Sequence, residues 1–246
     1  MRVLVCVKRV PAPGAKINIT ADEQSVDTAH LGFAMSPHEE CAVEEAVQLV
    51  ERHGGDATAL TLGPPEAEEQ LRYSASLGIQ HAVLLSTDGS AWDPQRTARA
   101  IAGAVSSLEA RPDEDGGGSF DLILFGNESA DSGGFQVGVR VAHALGRPIV
   151  NAIKGIEIDG AKVTAKREID GGFELYSLPT PAVLGVKEGL NLPRYPTMKG
   201  RLASKKVAVT VLDAEADAQG ALAGGHDYVE GIGAFMEKRS PEFTGS

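Results

Sequence analysis

The residues best placed to do chemistry form one unbroken stretch, Gly126-Asn127-Glu128-Ser129-Ala130-Asp131-Ser132-Gly133-Gly134-Phe135-Gln136-Val137-Gly138. Small residues there let backbone N–H groups close on an anion. A helix starting at the end of the stretch would add about half a positive charge. The stretch reads either as a phosphate or nucleotide cradle or as an ordinary glycine turn. It is not a Walker loop, since no Gly-Lys-Ser/Thr follows. Ser132-Gly133-Gly134 shares the opening of the pyrophosphatase-type ATP loop, but Phe135-Gln136-Val137 stands where Asp-Ser should follow, and that loop belongs after a first strand.

The other reactive side chains lack an arrangement. Glu39, Glu40, Glu44 and Glu45 read as partners of a helix dipole and as a solvated helix face. His30, His38, His53, His81, His143 and His226 are scattered, with no Ser or Cys placed for nucleophilic attack. Cys6 and Cys41 lie in apolar contexts without ligand spacing. They read as small buried hydrophobes rather than a disulfide or zinc site. His38 stands apart because it opens a helix facing the presumed ligand edge.

The elements that must position these groups alternate apolar runs with amphipathic stretches, the pattern of an α/β parallel sheet. Arg2–Val7 predicts a strand buried on both faces. Ser36-Pro37-His38-Glu39 has every helix-start signal: Ser at the cap, Pro at the first helical position and Glu closing a capping box. That helix buries Ala42, Val43, Ala46, Val47, Leu49 and Val50 and stops at Gly54-Gly55. Further cycles follow: a strand over 57–62 and a helix over 65–77, then a strand over 81–86 and a helix capped by Asp93-Pro94. The fourth strand, 121–125, leads into the glycine turn and a helix ending at Leu145-Gly146. Ligands of such sheets lie beyond the carboxyl ends of the strands, so Lys8-Arg9, the Ser36 cap and Thr61-Leu62-Gly63 should share an edge with the glycine turn. Beyond Pro148, runs at 153–158, 162–169, 173–177 and 182–186 are separated by Asp159-Gly160, Asp170-Gly171-Gly172 and Pro179-Thr180-Pro181. This predicts hairpins and an antiparallel addition to the sheet. Lys205–Leu212 gives a last strand. The expected division is an α/β domain over 1–212, carrying a loop at about 190–206, and an extended C-terminal arm over 213–246.

Twenty-three basic against 34 acidic residues give a net charge of −11 over 246 residues, which argues against nucleic-acid binding. No apolar run is long enough to span a bilayer. The first strand begins directly after Met1, so the expectation is a cytoplasmic protein without a targeting segment, or one that has already lost its presequence.

Read together, several stretches resemble the β subunit of electron transfer flavoprotein. They are Val5-Cys6-Val7-Lys8-Arg9-Val10-Pro11, Ser36-Pro37-His38-Glu39-Glu40-Cys41-Ala42-Val43-Glu44-Glu45-Ala46, Asp131 to Gly138, Arg167-Glu168-Ile169-Asp170-Gly171-Gly172, Asn191-Leu192-Pro193-Arg194-Tyr195-Pro196 and Lys205-Lys206. They follow the family's order from about residue 3 to 206. The resemblance implies an adenine-nucleotide-binding three-layer sandwich and a heterodimer whose FAD sits mainly in the α subunit, against a wall built by both chains. It also implies AMP, or a second FAD, in this subunit. The residues implied to line that site are Cys6, Ser36, Pro37, His38, Glu39, Leu62, Ser129, Asp131, Gly133, Gly134, Phe135, Gln136, Val137 and Gly138. The segment 194–206 aligns with the family's recognition loop. Tyr195, Met198, Lys199, Arg201 and Leu202 would then dock acyl-CoA dehydrogenases of fatty acid β-oxidation, with Met198 as anchor. Electrons would pass on to a quinone reductase or another acceptor, and the chain would be an electron carrier without a bond-making site of its own.

The chain departs from the family's pattern at His38, where many members carry Phe near the flavin. It departs again at Leu192 for the usual Glu, at Met198-Lys199 and Arg201, and in lacking an Asp-Gly-Asp-Thr run in the nucleotide loop. The competing reading is a stand-alone adenine-nucleotide protein or ATP pyrophosphatase. That would need a phosphate loop after the first strand, where Lys8-Arg9-Val10-Pro11-Ala12-Pro13 supplies none.

Overall fold

Strand β1 (Arg2–Val7) is the axis of the molecule: Val3, Val5 and Val7 enter one hydrophobic layer while Leu4 and Cys6 enter the other. Residues 1–112, 117–214, 230, 234 and 238–241 are described by the computed structural model. After β1, two short antiparallel ribbons pair β2 (Val10–Pro11) with β5 (Phe33–Ala34) and β3 (Asn18–Ile19) with β4 (Val26–Asp27). The alternating units follow: α1 (Pro37–His53), β6 (Asp56–Gly63), a 3-10 turn with α2 (Glu68–Leu77), β7 (His81–Ser86), α3 (Pro94–Glu109), β8 (Leu122–Gly126) and α4 (Val137–Ala144). The chain then runs through β9 (Ile149–Asp159), β10 (Lys162–Ile169), β11 (Gly172–Pro179), β12 (Ala182–Val186), α5 (Met198–Ser204) and β13 (Val209–Asp213).

Nine strands form one sheet in the order β11-β10-β9-β12-β8-β1-β6-β7-β13. Helices α1 and α2 pack on one face and α3 and α4 on the other, giving the three-layer α/β sandwich that the sequence predicts. Both long helices start as read: the Ser36 hydroxyl accepts from the Glu39 N–H and the Glu39 carboxylate accepts from the Ser36 N–H, while Asp93 accepts from the Gln95 and Arg96 N–H groups. Satisfying these otherwise unpaired donors contributes about 1 kcal/mol per cap.

The structure corrects four expectations. First, Ala182–Val186 is not part of the antiparallel addition; β12 lies parallel to β8 on one side and to β9 on the other. All five residues are buried, and an unbroken apolar run marks an interior parallel strand. The antiparallel addition is β9-β10-β11, joined to the sheet because β9 pairs parallel with β12 at Ile149 and Val150, then antiparallel with β10. Second, the segment expected as a loop at 190–206 contains α5, capped by the Thr197 hydroxyl. Third, the last strand begins at Val209 rather than Lys205, because the Arg72 guanidinium donates to the carbonyls of Ser204 and Val207 and holds that stretch in a turn. The expected arm over 213–246 lies for the most part outside the described residues.

Fourth, the glutamates of α1 do not form a solvated face: Glu39, Glu44 and Glu45 are 5%, 3% and 4% exposed. Residues 191–194 cross α1 and cover Glu44 and Glu45, while Glu39 is enclosed by Ser36, Lys8 and the end of β8. The Arg194 guanidinium donates to both Glu44 oxygens at 2.9 and 3.0 Å and to both Glu51 oxygens at 2.7 and 2.9 Å. Asn191 Nδ2 donates to the Cys41 carbonyl at 3.0 Å and to Glu45 at 3.1 Å. Breaking a buried charge pair leaves an uncompensated carboxylate, whereas an exposed pair contributes little. Arg194→Ala should therefore cost about 2–3 kcal/mol in urea unfolding, and Glu51→Ala, at an exposed partner, under about 1 kcal/mol.

Candidate functional site

At the carboxyl end of the sheet the strands stop short of one another and leave a cavity of about 430 Å³, within the range of small-ligand sites. Its floor is the end of β1 and the N-terminus of α1: Cys6, Lys8, Arg9 and Glu39. Leu62 and Gly63 at the end of β6 form one wall, Trp92 and Pro94 ahead of α3 another, and the turn from Phe125 to Val139 the third.

Ten of the fourteen residues read from the sequence line this cavity: Cys6, Glu39, Leu62, Ser129, Asp131, Gly134, Phe135, Gln136, Val137 and Gly138. The other four stand behind it. Ser36 is fully buried as the cap of α1, with Pro37 in the helix's first turn. Gly133 has φ +54°, a left-handed conformation that glycine adopts without penalty and that turns the loop. His38 does not line the cavity itself but holds Glu128, which does. Its Nδ1 accepts from the Glu188 N–H at 2.8 Å and its Nε2 lies 3.3 Å from Glu128 Oε1, an arrangement that ties α1 to the chain leaving β12.

Electrostatics divide the floor from the turn. The Lys8 ammonium lies 2.9 and 2.8 Å from the two Asp131 oxygens, and Asp131 also accepts from the Ser132 N–H at 2.8 Å. Burial works against the Asp131 carboxylate, but Lys8, Ser129 and Ser132 together outweigh it and hold its pKa below the ordinary range. Glu39 is the reverse case. Burial dominates over the Ser36 and Lys8 N–H groups, the Ser36 hydroxyl and the Lys8 charge, and its pKa is pushed up to about 7. Burial, then the Glu39 carboxylate, raises the Cys6 thiol far above its usual range, so Cys6 is an unreactive wall. The Arg9 guanidinium stacks 3.3 Å from the Phe33 ring centroid.

Two glycines define the turn's shape. A Cβ on Gly126 would fall 2.8 Å from Glu39 Cγ, so the end of β8 sits directly on the stem of the buried Glu39 side chain. A Cβ on Gly134 would meet nothing within 4 Å. The chain's own packing therefore leaves that side of Gly134 open to the cavity. Sequence reasoning counted Asn127 only as one residue of the turn, and it missed the segment Thr87–Trp92. The Asn127 Oδ1 accepts from the Ala152 N–H at 2.8 Å and its N–H donates to the Val186 carbonyl at 2.8 Å, pinning the turn to β9 and β12. The Thr87–Trp92 loop leaves β7 at the same sheet edge, so the strand-end rule that found Leu62 would have found it too.

On the surface, α5 stands on α2. A Cβ on Gly200 would fall 2.2 Å from the Ser76 carbonyl oxygen, so only glycine lets the two come this close. Tyr195, Met198 and Leu202 are 90%, 76% and 60% exposed, with Leu192 at 89%, and Lys199 and Arg201 are exposed beside them. Among the described residues no group of three or more His, Cys, Asp or Glu could hold a metal, and no helix is long and apolar enough to cross a membrane.

Comparison with known proteins gives the family of this α/β chain. The family model for the electron transfer flavoprotein domain matches residues 25–217. Three relatives each carry the name electron transfer flavoprotein subunit beta. That of Bacillus subtilis is 34% identical over 213 residues, 87% of this chain and 79% of its own length. That of Syntrophomonas wolfei is 35% identical over 217 residues, 88% and 81%. That of Megasphaera elsdenii is 33% identical over 240 residues, 94% and 87%. The chain belongs to the electron transfer flavoprotein β-subunit family.

The Glu39 shift sets a pH dependence whose sign follows from linkage. Between the ordinary value of 4.5 and about 7, the folded chain keeps a proton that the unfolded chain releases, so stability falls as pH rises through that window. Glu39→Gln keeps an acceptor for the Ser36 N–H without the charge. Its unfolding free energy should stay flat where the parent's declines, and it should exceed the parent's above pH 7 by roughly 2–3 kcal/mol. Parallel pH profiles for the two would show that Glu39 ionises normally.

Proposed function

We propose that this chain works as the β subunit of a heterodimeric electron-transferring flavoprotein, holding an adenine nucleotide (AMP, or a second FAD) in the cavity at the carboxyl end of its sheet. The observation that carries the reading is the turn after β8. It combines open space at Gly134, a left-handed Gly133 and a helix N-terminus immediately downstream, in the same cavity as Lys8 and Arg9. Phosphate oxygens would be received by N–H groups of the turn and the first residues of α4. The Lys8–Asp131 pair makes the local charge nearly neutral, so the donors rather than net charge would do the holding. Glu39, in its protonated form, sits beneath without repelling an anion. The floor of Cys6 and the wall of Leu62 supply apolar contact.

When bound, AMP would serve as a structural ligand, and FAD would add a second redox centre. The rest falls to the surface. The α subunit carries the principal FAD against a wall shared by both chains. The face of Tyr195, Met198 and Leu202, rimmed by Lys199 and Arg201, docks acyl-CoA dehydrogenase-type partners and brings flavins close enough for electrons to pass toward a quinone reductase or other acceptor. A small, exposed, thioether-bearing face suits a weak and fast redox encounter.

Co-expression with its flavin-carrying partner, followed by heat release of bound nucleotide, tests the cavity. One FAD plus one AMP, or two FAD, per heterodimer is expected; a single FAD and nothing else would overturn the reading. For the docking face, Met198→Ala should slow reduction by a cognate dehydrogenase roughly tenfold with flavin content unchanged. Unaltered kinetics would remove Met198 from the interface.

A further inference from the structure

Phe135 breaks two rules at once. Its φ is +52°, a left-handed conformation that a bulky L-residue adopts only under strain, and its ring is 56% exposed to solvent. It directly precedes Gln136, the cap of α4. An apolar residue at that position ordinarily packs on an apolar residue at the fourth helical position, fixing the chain's entry to the helix. Here the fourth position is Arg140, whose guanidinium is turned onto Gln136 Oε1 at 3.0 and 3.2 Å. The fold gains no such staple from the ring.

The ring's location supplies a reason. Phe135 lines the 430 Å³ cavity and also a second depression of about 490 Å³ between α3 and α4, so it stands on the ridge between them. Val139, one helical turn later on the same side, also lines both and is 41% exposed. Together they make an apolar platform at the mouth of the cavity, set apart by exposure and strain from its more enclosed apolar lining of Leu62, Trp92 and Phe125. A strained, exposed aromatic beside a phosphate cradle is what a planar ring would stack against.

We propose that Phe135 is the stacking platform for the planar heteroaromatic ring of the nucleotide held by this chain, and so a specificity-determining residue of the site. The inference rests on the nucleotide-binding reading above. Strain and exposure in the unliganded chain are offset when a ring covers Phe135. The ring could be the adenine of AMP or FAD or the isoalloxazine of FAD; all present the same flat, polarisable face.

The test uses the heterodimer stripped of exchangeable nucleotide, with calorimetric titration of AMP, FAD and ribose 5-phosphate into the parent, Phe135→Asn and Phe135→Tyr. Asparagine tolerates the left-handed conformation without a ring, and tyrosine keeps the ring. Phe135→Asn should weaken ring-bearing ligands roughly tenfold or more and leave ribose 5-phosphate unchanged. Its melting temperature without nucleotide should equal or exceed the parent's. Phe135→Tyr should retain the parent's affinity. Loss for AMP and FAD alike would identify adenine as the stacked ring; loss for FAD alone would identify isoalloxazine. If Phe135→Asn binds AMP and FAD as tightly as the parent, or melts lower with affinity intact, Phe135 is a packing residue. In that case the platform is wrong while the nucleotide site stands. If the parent binds neither nucleotide, both fall.

Discussion

The carboxyl of Glu39 is the point at which three parts of the chain meet with almost no room to spare. It accepts the Ser36 N–H, closing the box that starts α1, and it lies under Gly126, whose missing side chain lets the end of β8 rest on it. Lys8, at the exit of β1, approaches from the third side. A side chain at 126 or a displaced helix start would push the ends of β1 and β8 apart. The cavity floor is set by how tightly a protonatable group can be enclosed. Enclosure also explains why this acid behaves unlike its neighbours: desolvation, more than any single charge, governs it.

From that anchored start, α1 packs over β8, β1, β6 and β12, and the Glu44–Glu45 part of its polar face is covered. Arg194 and Asn191 seal Glu44 and Glu45 under a strap of chain, and the strap leads directly to the exposed residues around α5. One helix thus frames the cavity with its first turn and supports the surface patch through its middle. Gly200, held against the Ser76 carbonyl, makes the second fixed point for that patch. The exposed apolar residues are thus mounted on a fixed base, the arrangement that would lose least entropy under a partner.

Much of this was legible in the residues. The caps of α1 and α3 and the four parallel units were readable because each is a local signal: a polar cap, a proline at the first helical position, a terminal glycine. The glycine turn was legible as a candidate because strand, turn and helix succeed one another in sequence. What escaped depends on partners far along the chain. Glu44 and Glu45 have the charge pattern of a solvated face, and only a strap about 150 residues later removes them from water. The place of β12 between β8 and β9 is likewise a pairing choice between distant segments, although its unbroken apolar run pointed inward. Asn127 looked like one more turn residue until β9 supplied the N–H it accepts. His38 does stand at the ligand edge, against Glu128 of the turn, but only the distant Glu188 shows that its ring also ties α1 to the chain leaving β12.

Trp92 gives the molecule an optical address. It is the chain's single tryptophan among 246 residues, it stands in the cavity wall, and the Arg96 guanidinium lies 3.8 Å from its ring centroid. The long-wavelength ultraviolet emission of this polypeptide therefore comes from one spot, bordering the space where a ligand would sit. Spectral shifts on that band report the local polarity of the cavity wall rather than an average over the protein, with no label required.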